Sequence, residues 1–122
     1  MASRKILYVC QEIMPYLPET ELSTLSRRLV QAMQERGNEI RTFMPRYGCI
    51  NERRNQLHEV IRLSGMNLII DDNDHQLIIK VASIPSARIQ IYFIDNDDFF
   101  SRKAVLTDGE GNEFEDNDER AI

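Results

Sequence analysis

The sequence predicts an α/β domain that opens as a parallel strand-helix-strand unit and continues in β-hairpins. Three observations carry that prediction: the nearly unbroken apolar run Lys5-Ile6-Leu7-Tyr8-Val9-Cys10, a helical stripe between Thr20 and Arg36, and the alternating segment Glu39-Ile40-Arg41-Thr42-Phe43-Met44. A short continuous apolar run fits a strand buried on both faces of a helix-covered parallel sheet. Leu22, Leu25, Leu29, Ala32 and Met33 fall on one side of a helix, which predicts that this stripe faces the core. Thr20 is a suitable N-cap, and Gly37-Asn38 is a suitable stop because both residues tolerate the left-handed conformation. A right-handed crossover then sets the second strand parallel to the first, the usual opening of a Rossmann-like domain.

The linker from Gln11 to Glu19 contains Pro15 and Pro18 and cannot be helical throughout. Beyond Pro45-Arg46-Tyr47-Gly48, a polar loop runs through Arg54. Glu59–Leu63, Asn67–Ile70, Leu77–Ile84 and Arg88–Ile94 are rich in Ile, Leu and Val, and read as strands. Asp71-Asp72-Asn73-Asp74 and Pro85-Ser86-Ala87 read as the turns between them. No room is left for crossover helices, so these strands should pair antiparallel or extend the sheet as hairpins. From Asp95 onward the chain is acidic with scattered apolar residues, and an irregular surface excursion is expected. The ending at Arg120-Ala121-Ile122 looks like a cut through the start of an element, so a truncated piece of something longer is expected.

At 122 residues and 14.3 kDa the chain is sized for one domain, and its 42% hydrophobic content suffices for a core. Mean hydropathy is −0.42, and no apolar run approaches the roughly 18 residues that span a bilayer. A secretory signal is absent by the same reading, so no membrane partner and a cytoplasmic location are expected. The net charge of −5 is uneven: residues 1–94 carry 12 basic and 10 acidic side chains, residues 95–122 carry 3 and 10. That balance argues against nucleic acid, whose phosphates demand a basic face. Cys10 and Cys49 are isolated and read as free thiols; without clustered histidines they make no zinc site.

Most motif fragments reduce to ordinary structure. Gly109-Glu110-Gly111 lacks the helix and third glycine of a phosphate loop and reads as a turn. Asp108, Glu110, Asn112 and Glu113 lack the central glycine and flanking helices of a calcium loop, and read as solvated surface. His58 and His75 read as surface histidines, while Asp97 and Asp98, being consecutive, point apart and make no acid/base pair. No metal, cofactor or catalytic residue is assigned. The mouth of the long helix says more. A helix N-terminus can hold phosphate on its unbonded N–H groups. Here the preceding residues are Pro18-Glu19-Thr20-Glu21: Pro18 lacks an N–H, and the two carboxylates stabilise the helix by about 0.3–1 kcal/mol each while repelling an anion.

Four ordered blocks resemble the N-terminal domain of the bacterial glycogen and plant starch synthases. Lys5 through Tyr16 is similar to that family's opening strand and Ser-Glu-x-x-Pro-Phe turn. Glu35-Arg36-Gly37-Asn38-Glu39-Ile40-Arg41, with Met44-Pro45-Arg46-Tyr47-Gly48, is similar to its Lys-Arg-Gly-His-Glu-Val-Arg and Leu-Pro-Arg-Tyr-Gly stretch. Ile91-Tyr92-Phe93-Ile94-Asp95-Asn96 resembles Val-Tyr-Phe-Ile-Asp-Asn, and Asp116-Asn117 through Arg120 resembles Asp-Asn-Ala-Glu-Arg. The resemblance implies the first part of the acceptor-side domain of a GT-B glycosyltransferase, whose two Rossmann-like domains face each other across the active site. It also implies kinship with transfer of glucose from ADP-glucose to an α-1,4-glucan.

The departures bear on activity. Without a gap, the family's Lys-Thr-Gly-Gly-Leu-Ala-Asp-Val falls on Pro18 through Leu25, and only Leu22 survives. The family lysine helps hold the sugar nucleotide, and its glycines let backbone approach the phosphates. Family comparison and electrostatics together predict that donor binding in this loop is lost and that the chain is inactive alone. The family's acceptor-region tyrosine after Arg102 is Leu106 here. Tyr16, Tyr47 and Phe99 read first as core side chains and second as stacking faces for glucan. Candidate partners are an α-glucan, an intact synthase, or further copies of the chain. Two rival readings stand: a fragment of an active glucosyltransferase completed by downstream sequence, and an oligomerising or regulatory module.

Overall fold

The computed structural model describes residues 4–70, 73–84, 89–100 and 120–121. The elements run β1 (Lys5–Val9), α1 (Glu21–Glu35), β2 (Glu39–Pro45), β3 (His58–Glu59), a 3₁₀ turn (Ile61–Leu63), β4 (Met66–Ile70), β5 (Asn73–Ile84), β6 (Ile89–Asp95) and α2 (Asp97–Phe100). They form a mixed sheet in the order β1-β2-β6-β5-β3, with β4 paired to β5. β1 and β2 pair in parallel from Lys5–Glu39 to Val9–Phe43, as the opening unit requires. Among the described residues no helix is long and apolar enough to cross a membrane.

β6 belongs to two pairings at once. It runs parallel to β2 and antiparallel to β5, so the parallel part of the sheet has three strands rather than two. Its alternation explains this central place: Ile89, Ile91, Phe93 and Asp95 are all buried on one face. With Met44 and Thr42 of β2, Val30 of α1, and Ile13 and Tyr16 of the β1–α1 loop, they make the core. The Tyr16 ring meets Phe93 edge-on with centroids 5.0 Å apart.

The boundaries of α1 follow its sequence signals. Thr20 caps it: Thr20 Oγ1 accepts from Ser23 N–H at 3.0 Å, and Ser23 Oγ accepts from Thr20 N–H at 2.8 Å. Gly37 ends it with φ 84°, and Asn38 Nδ2 donates to the Met33 carbonyl at 3.0 Å. The face that packs on the sheet differs from the expected one. Ser23, Ser26 and Val30 are buried, while Leu22, Leu25 and Leu29 are exposed. Tyr8 Oη donates to Ser26 Oγ at 3.3 Å, so the serines are accommodated by hydroxyl contacts across the interface. Apolar spacing fixes where a stripe lies on a helix; it does not say which stripe the sheet will cover.

Four further expectations are corrected. β1 is not buried on both faces: Ile6 and Tyr8 on the α1 side are partly covered, whereas Leu7 and Val9 on the other face are 68% and 66% exposed because no described element is layered over β1 there. The segment Glu59–Leu63 is strand only at its first residue, then a 3₁₀ turn closed by Leu63 N–H on the Val60 carbonyl. Of the turn placed at 71–74, Asn73 and Asp74 already belong to β5; residues 71–72 and 85–88 lie outside the described residues. The irregular excursion expected from Asp95 onward is not what residues 95–100 form, and residues 101–119 lie outside the described residues. Asp95 is buried, and α2 turns Phe99 and Phe100 inward. The glycine pair at 109 and 111, the acidic run at 108–113 and Leu106 lie outside the described residues.

Asp95 ends β6 within a buried ion network. Its Oδ1 accepts from Arg46 Nε at 3.2 Å and lies 3.1 Å from Arg46 Nη2; its Oδ2 lies 2.7 Å from Lys80 Nζ, which also pairs with Glu52. The network joins the ends of β2 and β6 to the middle of β5. Burial would depress the Lys80 ammonium, but hydrogen bonds and charge from Asp95 and Glu52 outweigh it and hold its pKa above the ordinary lysine value. Removing one partner of such a buried set strands the others. Asp95→Ala should therefore cost about 3–5 kcal/mol in urea unfolding. Since the Lys80 value is raised by folding, its contribution should be complete below pH 10.5 and vanish as pH rises further, a loss that Lys80→Met should abolish.

Candidate functional site

The carboxyl ends of β1, β2 and β6 open onto a cleft of about 630 Å³. In open α/β sheets, this is where ligands bind. Cys10 and Gln11 follow β1, Pro45 and Tyr47 close β2, and Ile94 and Asn96 close β6; Leu68 and Leu77 of the β4–β5 hairpin form the opposite wall. Arg46 N–H on the Ile94 carbonyl at 2.8 Å ties two of these strand ends together.

Tyr47 and Phe99, far apart in the sequence, converge here, and Phe100 joins them. Tyr47 and Phe100 meet edge-on at 5.9 Å, and the His75 ring lies 4.5 Å from Phe99. The Arg120 guanidinium sits 5.3 Å from the Phe100 centroid and 5.7 Å from that of Tyr47. Asn96 Nδ2 donates to the Gln76 carbonyl at 2.9 Å, fixing an amide on the rim. His75 was expected on the surface, and is instead a half-buried member of the aromatic cluster; His58 is exposed as expected. The sequence carried no local sign of this, because β5 begins four residues earlier than its apolar pattern announces.

Tyr16 is not part of the cleft. It lies on the α1 side of the sheet against Phe93, its hydroxyl buried without a hydrogen-bond partner among the described residues. Burial pushes its pKa up to about 12, only partly offset by Arg27, and Tyr47 is pushed to about 12 in the same way against the pull of Arg120. Both phenols therefore stay neutral at any physiological pH. The cleft lining offers amides, the His75 imidazole and the Arg120 guanidinium over a wall of core side chains, for Tyr47 and Phe99 are themselves buried at 2% and 5% exposure, as their first reading expected. Among the described residues, no three His, Cys, Asp or Glu side chains gather as metal ligands.

Pro18, Glu19, Thr20 and Glu21 are all exposed at the mouth of α1. Thr20 Oγ1 also lies 3.2 Å from Glu12 Oε2, and Ser23 Oγ lies 3.0 Å from the Pro18 carbonyl. The mouth is thus occupied by its own side chains, with the Ser23 N–H already bonded and a carboxylate in the first turn. The backbones of Asp97 and Asp98 lie in α2.

Comparison with known proteins gives one consistent result. A family model described as the starch synthase catalytic domain matches residues 5–122. The chain is 38% identical over 119 residues to a glycogen synthase of Chlorobium luteolum, covering 97% of this chain and 24% of that protein. It is 39% identical over 104 residues to a glycogen synthase of Chlorobaculum tepidum, covering 85% and 21%. Among solved structures, the catalytic domain of starch synthase IV from Arabidopsis thaliana, bound to ADP and acarbose, matches with a TM-score of 0.74 at 17% identity, over 89% of this chain and 22% of that one. That likeness shows the fold. The chain therefore spans about a quarter of the length of the curated relatives it matches.

Both cysteines are free thiols, Cys10 buried and Cys49 exposed. Burial pushes both pKa values up, Cys10 to about 11 despite a hydrogen bond with Ser26. A thiol reagent at pH 8 should modify Cys49 first and reach Cys10 only on unfolding, as mass spectrometry of the labelled peptides would record. Thr20→Ala, which removes the cap, should lower stability by about 1 kcal/mol in urea melts.

Proposed function

Because this chain belongs to the starch synthase catalytic domain family, we propose that it is an acceptor-side segment related to transfer of glucose from ADP-glucose to an α-1,4-glucan, inactive alone, and that it contacts α-glucan but not nucleotide. One observation carries the reading: Tyr47 and Phe99 converge with His75 and Asn96 in a cleft at the carboxyl ends of three parallel strands. An apolar wall with amide groups at its rim suits a sugar ring, which presents apolar C–H faces and equatorial hydroxyls. The acarbose and ADP in the plant enzyme lend the ligand classes; they were bound there, not here.

The nucleotide half of the proposal rests on the mouth of α1. An anion would meet Glu19 and Glu21, a proline in place of the family's lysine, and a first turn already bonded to Thr20. The proposal also carries the cytoplasmic location expected from the sequence.

Titrating the isotopically labelled chain with maltoheptaose should give saturable amide shifts at Tyr47, Gln76, Asn96 and Phe99, and titrating with ADP should give none. A flat maltoheptaose response up to millimolar sugar overturns the glucan reading. Saturation by ADP at Glu21–Ser23 overturns the nucleotide one. The quadruple variant Pro18→Lys, Glu19→Thr, Thr20→Gly, Glu21→Gly should gain ADP affinity while losing about 1–2 kcal/mol of stability.

A further inference from the structure

We propose that the open edge of β4 is a docking surface for a second copy of this chain, whose own β4 pairs with it antiparallel across a two-fold axis. β4 bonds to β5 along Met66–Ile70 and meets no other strand among the described residues. In an antiparallel ladder a strand turns half its peptide groups to one neighbour and half to the other. The half that faces away from β5 is therefore open along the whole of β4.

Soluble proteins blunt such edges with charges, prolines or bulges. β4 reads Met66-Asn67-Leu68-Ile69-Ile70 and carries neither charge nor proline. Met66 and Ile69 lie on opposite faces of the strand, and both are exposed, Ile69 at 75%. The 3₁₀ turn that leads into β4 adds exposed Ile61 and Leu63. A strand bare on both faces and along one edge buries its apolar surface only by gaining a neighbour.

The charges at the two ends of β4 select the occupant. Arg62 precedes the strand, and Asp71, Asp72 and Asp74 follow it in the chain. Asp74 stands beside Ile69 on β5, and both Asp74 and Arg62 are exposed. A two-fold axis can join identical edges in a parallel or an antiparallel sense. Parallel pairing sets arginine against arginine and aspartates against aspartates. Antiparallel pairing brings each Arg62 towards the partner's acidic end, so a second copy always carries the complementary charge. Centred on Leu68, it also sets Leu68 against the partner's Leu68 and Met66 against the partner's Ile70, apolar pairs on one face.

Such a contact closes at two copies, because each β4 has a single open edge. This inference does not rest on glucan binding: Arg62, Ile69 and Asp74 lie outside the cleft lining, so their variants leave the cleft as it is.

The test is sedimentation of this chain over about a hundredfold range of concentration, with hydrogen exchange measured at the same points. A monomer–dimer equilibrium should appear, and exchange at the Met66–Ile70 amides should slow as the dimer fills. Ile69→Lys should raise the dimer Kd by about tenfold or more. Arg62→Asp and Asp74→Arg should each raise it by about three- to tenfold, since the two-fold axis counts every pair twice. The combined Arg62→Asp, Asp74→Arg variant should recover most of the lost affinity. The charge variants alter only exposed side chains, so they decide the matter even where Ile69→Lys fails to fold. A chain that stays monomeric throughout overturns the proposal. So does a dimer whose Met66–Ile70 amides exchange as fast as the monomer's, or a combined charge variant that recovers nothing.

Discussion

The fold depends on β6 and on the charge that ends it. A strand with apolar residues on both faces can only be stable between two others, and β6 lies between β2 and β5. Its buried face puts Ile89, Ile91 and Phe93 into the core and then delivers a carboxylate into the same layer at Asp95. An unpaired carboxylate there would cost several kcal/mol. Arg46 from the end of β2 and Lys80 from the middle of β5 make it tolerable, and so lock the three strands in register. This network is better read as a device of specificity than of raw stability, since its gain is offset by desolvating three charges.

That register sets the cleft. Arg46 stands beside Tyr47, and Asp95 beside Asn96, so one ion pair places a ring and an amide on the rim at once. The backbone bond from Gly48 N–H to the Phe100 carbonyl at 2.6 Å then draws α2 onto the end of β2. Phe99 and Phe100 meet Tyr47 and His75 because of these strand ends, not through any local motif. The site is therefore a by-product of sheet order, as in other parallel α/β layers.

The other side of the sheet shows a different economy. Small hydroxyl side chains, Ser23 and Ser26, bring α1 close to the sheet, while its leucines are left lateral. In a complete layer such leucines contact neighbouring helices. Here Leu7, Val9, Leu22, Leu25 and Leu29 are all exposed.

The sequence by itself determined what is local. Apolar periods gave β1, α1 and β2; Thr20 and Gly37 gave the helix ends; and four blocks of residues pointed to the family that the chain belongs to. These signals act over a few residues, through capping bonds, φ preferences and side-chain period. Which face of α1 would be covered, how far β5 extends beyond its apolar half, and that β6 would insert beside β2 were decided only in three dimensions. So was the placing of the three aromatic candidates, all of them buried, with Tyr16 on the α1 side of the sheet and Tyr47 and Phe99 beneath the cleft. The reason is the same in each case: a pattern records which surfaces are apolar, whereas burial depends on a partner brought from elsewhere in the chain.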